Sequence, residues 1–356
     1  MWKSLKDRAE GVKEMKRMKT TEAVGQVLCH DITQIIPGVT KDAVFRKGHI
    51  IREEDIPVLL SVGKDSVYIW ENDETMMHEN DAAEVLYRMT ANEHMHPSDV
   101  KEGKIEAIAD TEGLLKVDRE KLKKVNAFGE MMIATRHGNT VVKKGDKLAG
   151  TRIIPLVIKK DKMQEAEKIC DGTPILKILP FTVKKAAIIT TGNEVYHGRI
   201  KDAFTPVIEQ KIAEFGAEMM FHEIFDDNDR KITDGCLRAI EAGADIVFCT
   251  GGMSVDPDDK TPLAIKNTGA EMISYGSPVL PGAMFLLSYY RKGDKVIPIC
   301  GLPGCAMYNR RTIFDLVLPR LMAADPVTAD ELASLGEGGL CLNCDVCTYP
   351  NCGFGK

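Results

Sequence analysis

The sequence predicts an α/β protein: a three-layer domain with a mixed, mostly parallel sheet over residues 181–328, preceded by a smaller α+β N-terminal region. Two observations carry that expectation. From Lys185 onward, short apolar runs alternate with stretches of helical spacing, the pattern of a doubly wound sheet. Glycine-rich turns close several of those runs, at the strand ends where ligands of open α/β sheets bind.

The elements follow in order. AAIIT (186–190) is a short apolar strand ending in TGNE. Phe204, Val207, Ile208, Lys211, Ile212 and Phe215 fall at helical spacing, and Gly216 stops that helix. AEMMFHEIF (217–225) reads as a second strand, and NDRKITDGCLRAIEAG (228–243) as a helix ending at Gly243. ADIVFCT (244–250) is a third strand that runs straight into GGMS. An extended YGSPVLPG segment (275–282), a strand KVIPIC (295–300), the turn GLPG (301–304) and a helix from Cys305 to Met322 complete the domain. Residues 1–75 read as β-rich around AVGQVLCHDI and DSVYIW, which flank a charged IREEDIPVLLSVG stretch. Residues 76–180 read as an α+β linker domain. It is polar and helical over 79–125, with Ala83, Leu86, Tyr87 and Thr90 on one face, and strand-like over 130–160. Residues 329–356 form a cysteine-rich tail.

A chain of 356 residues exceeds one hydrophobic core, and its 44% apolar and 28% charged content is that of a soluble globular protein. The net charge of −6 argues against a nucleic-acid coat protein, which needs a basic face. The cluster from Lys3 to Lys19 is interleaved with Asp7, Glu10 and Glu14 and reads as a solvated helix or arm. No apolar run reaches the roughly 18–20 residues that span a bilayer. The N-terminus also lacks the apolar core of a secretory signal. Cytoplasmic residence is therefore expected, with no nucleic-acid or membrane partner.

Several turns hold residue types suited to an anion. In TTGNE (190–194), Thr191 offers a hydroxyl and Gly192 lets backbone amides approach closely, with Glu194 beside them. CTGGMSVDPDDKTP (249–262) is more specific: Gly251 and Gly252 expose successive amides, while Thr250 and Ser254 add hydroxyls. Asp256, Asp258 and Asp259 follow, and carboxylates beside a phosphate cradle suit Mg²⁺. After the second strand, Asp226 and Asp227 are candidate metal ligands, whereas Asn228 or Asp229 would cap the next helix. The turns Pro281-Gly282 and Leu302-Pro303-Gly304 close the set, with Gly304 leaving a helix N-terminus open to an anion. Arg310 and Arg311 lie one to two turns further on. For each turn the competing reading is ordinary βα-loop chemistry, with glycine for the turn and aspartate for the cap.

TTGNEV, the FDDN stretch, TGGMSV with its downstream DD, VLPGAMF and GLPG, in this order and spacing, resemble the molybdopterin-binding domain of the molybdenumtransferase family, which includes gephyrin. VGQVLCHDI (24–32) and residues 45–69 are also similar to that family's N-terminal region. The resemblance implies molybdopterin, or its adenylylated form, as ligand. It further implies a role in molybdenum cofactor biosynthesis and Mg²⁺-dependent molybdate insertion with Asp226, Asp227 and Asp259 as catalytic residues. Molybdoenzymes as partners and a homo-oligomer belong to the same expectation. The chain departs from the family in several places, the family's C-terminal β-barrel domain being one that is not recognised here. The Ser-Ala-Met-Asp-Gly-Tyr-Ala signature has no counterpart, Val255-Asp256 replaces Val-Gly, and Pro281-Gly282-Ala283-Met284 replaces a PGKP turn. Two alternatives stay open: a nucleotide hydrolase of the competence/damage-inducible type, to which TGG…DDKT is similar, and a non-catalytic carrier or sensor.

Cys341, Cys344, Cys347 and Cys352 crowd the last sixteen residues with the spacing C-x2-C-x2-C-x4-C. Clustered thiolates of this kind ligate a [4Fe–4S] cluster or Zn²⁺. A tail this short cannot build its own core and is expected to need such a staple.

Overall fold

The computed structural model describes residues 16–36, 40–69, 75–254, 256–257 and 259–356. The basic stretch up to residue 15, Trp70 and Asp258, on which some expectations rest, lie outside the described residues. The chain divides into two compact units, residues 1–111, 117–136 and 144–177, and residues 112–116, 137–143 and 178–356. No described helix is long and apolar enough to cross a membrane.

The second unit is built on a six-stranded sheet in the order Glu218–Phe225, Lys185–Thr191, Ile246–Thr250, Lys295–Leu302, Leu286–Lys292, Glu271–Tyr275. The first four strands are mutually parallel and the last two pairings are antiparallel, so the sheet is mixed and mostly parallel. Alternate residues of the central strands feed two separate cores. Ile188, Phe248 and Leu302 meet Ile208, Ile212 and Phe314 on one face. Ile189, Cys249 and Ile299 meet Ile232, Cys236 and Ile265 on the other. Burial on both faces is what makes these strands read as unbroken apolar runs.

Helix starts follow their caps. Asn228 accepts from the Arg230 and Lys231 amides and begins the Asp229–Glu241 helix, a cap worth about 1 kcal/mol. The helix expected from Cys305 begins instead at Ile313. Thr312 and Asp315 form a reciprocal capping box there, while residues 304–306 make only a single 3-10 turn. Arg310 and Arg311 are thus loop residues, and the open helix N-terminus expected beside Gly304 is not present. The hairpin of Glu271–Tyr275 and Leu286–Lys292 was not legible in the sequence.

Protein contacts hold the tail against the second unit. After the Ala329–Ser334 helix, Leu340 bridges to Leu280, with Leu280 N donating to Gly339 O and Cys341 N to Leu280 O, both at 2.8 Å. Phe354 is buried in the same core as Ile313 and Phe314, and the Tyr349 hydroxyl donates to Asp315 O at 3.0 Å.

In the first unit, residues 16–36 and 40–69 form two antiparallel ribbons around a small core of Leu28, Ile51, Leu59 and Val67. Within that segment, the charged IREEDIPVLLSVG stretch holds the Ile56–Ser61 helix. The helical face expected near residue 83 is the Glu79–Thr90 helix, which buries Ala83, Leu86 and Thr90. The rest of 79–125 is not continuous helix: Met95–Pro97, Ile105–Ala109 and Gly113–Val117 are strands, followed by the Arg119–Ala127 helix. Ile105, Ala107 and Ala109 point inward at period two, the periodicity of a half-buried strand.

Candidate functional site

Every turn singled out in the sequence lies at one end of the six-stranded sheet. Thr191, Phe225, Thr250 and Leu302 terminate the four parallel strands. The segment 279–282 enters the antiparallel Leu286–Lys292 strand from that same end.

The first three strand ends are tied together. Thr191 Oγ1 donates to Thr250 O at 3.0 Å and pairs with Thr261 Oγ1 at 3.0 Å. Gly192 N reaches Phe225 O at 3.2 Å, and Asn193 N donates to Asp227 Oδ2 at 3.1 Å. Beneath them, Asp202 accepts from the Thr190 and Thr205 hydroxyls at 2.9 and 2.6 Å, with His222 Nε2 3.1 Å from Thr190 Oγ1. Burial raises the Asp202 pKa, but these hydrogen bonds outweigh it and leave the carboxyl below its usual range.

The glycines serve the loop before they serve a ligand. Gly251 has φ +81°, and a Cβ there would strike the Thr191 carbonyl. Gly252 has φ +54°, and its Cβ would lie 2.8 Å from Thr261 Oγ1. Gly282, at φ +130°, passes so close to Ile313 that any side chain collides with it. Gly192 sits at φ +133°, with the exposed Glu194 carboxylate 3.0 Å from where its Cβ would be. Gly304, by contrast, faces open space.

Buried polar side-chain atoms are normally paired, so those that are not point to a function. Among the described residues, Asp226 Oδ1, Thr250 Oγ1, Asp259 Oδ2, Arg311 Nε and, in the first unit, Asn92 Oδ1 are buried without a hydrogen-bond partner. The first three belong to residues the sequence nominated. Asp226 spends its other oxygen on Lys231 Nζ at 2.8 Å. Leu302 and Pro303 are buried, and Ser254 is exposed with its carbonyl 3.4 Å from the Tyr275 hydroxyl. Burial first, and then the Asp259 charge, push that hydroxyl's pKa upward. Thr261, Asp202, His222 and Tyr275 were missed by sequence reasoning. Thr261, directly before Pro262 at a helix start, carried the one usable signal.

The four tail cysteines line one cavity of about 650 Å³ together with Arg310 and Arg311. They are not drawn together: among the described residues no group of three or more His, Cys, Asp or Glu side chains is gathered to hold a metal ion. Cys341 Sγ instead rests 3.8 Å from Asn343 Oδ1.

Residues 187–323 match the family model described as a probable molybdopterin binding domain. The matched residues lie wholly within the second unit. Residues 17–71 match a separate model described as a domain of unknown function. Among curated proteins, the chain is 30% identical over 129 residues to a putative competence-damage inducible protein of Bacillus cereus (strain B4264), covering 36% of this chain and 30% of that protein. It is 32% identical over 85 residues to that of Bacillus subtilis (strain 168), covering 24% and 20%. The chain therefore spans less than a third of these relatives. Among solved structures, it is similar to the tungsten cofactor synthesizing protein MoaB from Pyrococcus furiosus at 20% identity and TM-score 0.32, covering 39% of this chain and 89% of that one. It is also similar to CinA from Thermoplasma acidophilum at 17% identity and TM-score 0.32, covering 39% and 98%.

Proposed function

We propose that the second unit binds molybdopterin, with the pterin's phosphate on the Thr250-Gly251-Gly252 loop and the remaining contacts from Thr191, Gly192, Glu194, Ser254, Pro281, Gly282, Leu302, Pro303 and Gly304. The observation that carries this reading is the fully buried Thr250 hydroxyl, which has no partner in a loop of two glycines at a strand end. Leaving such a group unsatisfied costs about 1–3 kcal/mol, and an anionic oxygen accepting from it would recover that cost. The family match at residues 187–323 favours a pterin over other phosphates.

Asp226 and Asp259 each keep one buried, unpartnered oxygen, so they are the residues to hold Mg²⁺ against the phosphate. Mg²⁺ commonly takes one or two carboxylates plus phosphate oxygens and neutralises charge as a phosphate bond breaks. Asp227 acts by fixing Asn193 and so the shape of the TGNE turn. With adenylylated molybdopterin as ligand, this arrangement suits molybdate insertion. In the same reading a homo-oligomer hands the pterin to molybdoenzymes.

The identity to putative competence-damage inducible proteins favours a second reading, nucleotide hydrolysis at the same loop. Native mass spectrometry of protein from a molybdopterin-producing host separates the two. A copurifying pterin phosphate is the expected result, and a pyridine nucleotide or ADP-ribose in its place overturns it.

A further inference from the structure

Among the described residues, the VLPG turn is the one pterin-site turn whose backbone is held by the tail. Leu280 N donates to Gly339 O and Cys341 N to Leu280 O, so Leu280 of this turn forms one short parallel bridge with Leu340, directly before the first tail cysteine. On the turn's other side, Ile313 N donates to Pro281 O at 3.1 Å. The tail then crosses the loop after GLPG. Arg310 Nη1 donates to Asp345 O at 2.9 Å, and the Arg311 guanidinium stacks on Tyr349 with 4.7 Å to the ring centroid. Cys341 and Cys352 are half-buried and anchored, whereas Cys344 and Cys347 are exposed on a stretch without helix or strand.

We propose that the four cysteine thiolates hold one thiophilic metal centre, a single Zn²⁺ or one iron–sulfur cluster, in the cavity they share with Arg310 and Arg311, and that its loading clamps the VLPG turn. The charge and the geometry agree. Four thiolates around Zn²⁺, or around a [4Fe–4S]²⁺ core, leave a net charge of −2, and two guanidiniums line the same cavity. Because the thiols stand apart, the metal must draw residues 342–348 inward against the anchored pair. That movement tightens the segment carrying Cys341, whose amide is bonded to Leu280. Binding is ligand exchange: each thiol releases one proton to solvent and no electron moves. The consequence for pterin affinity rests on the function proposed above, but the metal site and the clamp do not.

The test uses the full chain, stripped of metal by chelation and divided into two arms. One receives Zn²⁺, and the other equal Fe²⁺ and Fe³⁺ with sulfide under anaerobic conditions. One arm should bind stoichiometrically, as one zinc or four irons per chain. Amide exchange at Leu280 and Cys341 should then slow at least tenfold on loading. Cys344→Ser combined with Cys347→Ser should abolish both effects, while Cys305→Ser, outside the cavity, should keep them. No stoichiometric metal in either arm, with four reactive tail thiols, overturns the site. Metal bound with exchange at Leu280 and Cys341 unchanged overturns the clamp. If metal and clamp hold while neither form binds molybdopterin, only the pterin reading falls.

Discussion

The loop after the Ile246–Thr250 strand and the cysteine tail both gather ligand-type atoms, and they differ in what holds those atoms. The loop grows from a strand buried on both faces, and its glycines are locked against Thr191 and Thr261. Its unpartnered hydroxyl is therefore placed before any ligand arrives, at the cost of an unsatisfied polar group. The tail is anchored at Leu340, Tyr349 and Phe354, and its exposed cysteines, Cys344 and Cys347, ride on irregular backbone. Its ligand atoms are near one another without being arranged. On the proposals above, the loop is a preformed site suited to recognition, and the tail is one completed by its ligand and suited to reporting that the ligand is present.

The largest expected effect breaks the loop. Gly251→Val puts a β-branched residue at positive φ and into the Thr191 carbonyl, and should lower the stability of the second unit by about 4 kcal/mol in denaturant unfolding. Phe354→Ala addresses the tail's anchor. It removes a buried ring from the shared core and should cost about 3 kcal/mol, with residues after Gly338 becoming protease-sensitive first. A tail that is cleaved no faster than in the parent would show that the anchor lies elsewhere.

The far end of the Ile246–Thr250 strand gives a pH test. Burial raises the Asp245 pKa, but Lys295 Nζ at 2.6 Å and the Lys184 and Lys185 amides outweigh it, so the folded carboxyl lies below its ordinary value of 3.8. A depressed carboxylate stabilises the fold above its unfolded pKa and loses that contribution as pH falls through the folded one. Stability should therefore drop below about pH 3.8, and Asp245→Asn should flatten that limb of the pH profile. The smallest effect is Gly304→Ala. Its Cβ meets nothing, so unfolding should shift by less than about 0.5 kcal/mol.

The α/β half was legible because its signals are local. Apolar runs of five to eight residues, glycines at their ends and an Asn cap each identify an element without long-range information. The Thr250-Gly251-Gly252 loop was legible for the same reason. What its glycines touch was not, since Thr191 comes from a distant part of the chain and Thr261 meets Gly252 only once the loop between them has folded back. The start of the last long helix was misplaced although Thr312 and Asp315 spelled out a capping box, because the preceding CAMYNRR stretch also suits a helix. The three-residue strands Met95–Pro97 and Thr140–Val142 are too short to show any period, and only their partners define them. The tail's spacing was plain, but its docking on Leu280 depends on backbone hydrogen bonds that leave no trace in residue type.

Thr250→Val tests the central claim most directly, because one substitution separates folding from binding. The side chain keeps its shape and loses a buried hydroxyl that has no partner, so the metal-free and ligand-free protein should be unchanged or more stable by about 1 kcal/mol. Titration calorimetry with molybdopterin should nonetheless show a loss of about 1.5–3 kcal/mol in binding, the worth of a hydrogen bond to a charged group, or roughly 10- to 150-fold in Kd. Unchanged affinity in a folded Thr250→Val protein would contradict the assignment of this loop as the phosphate site.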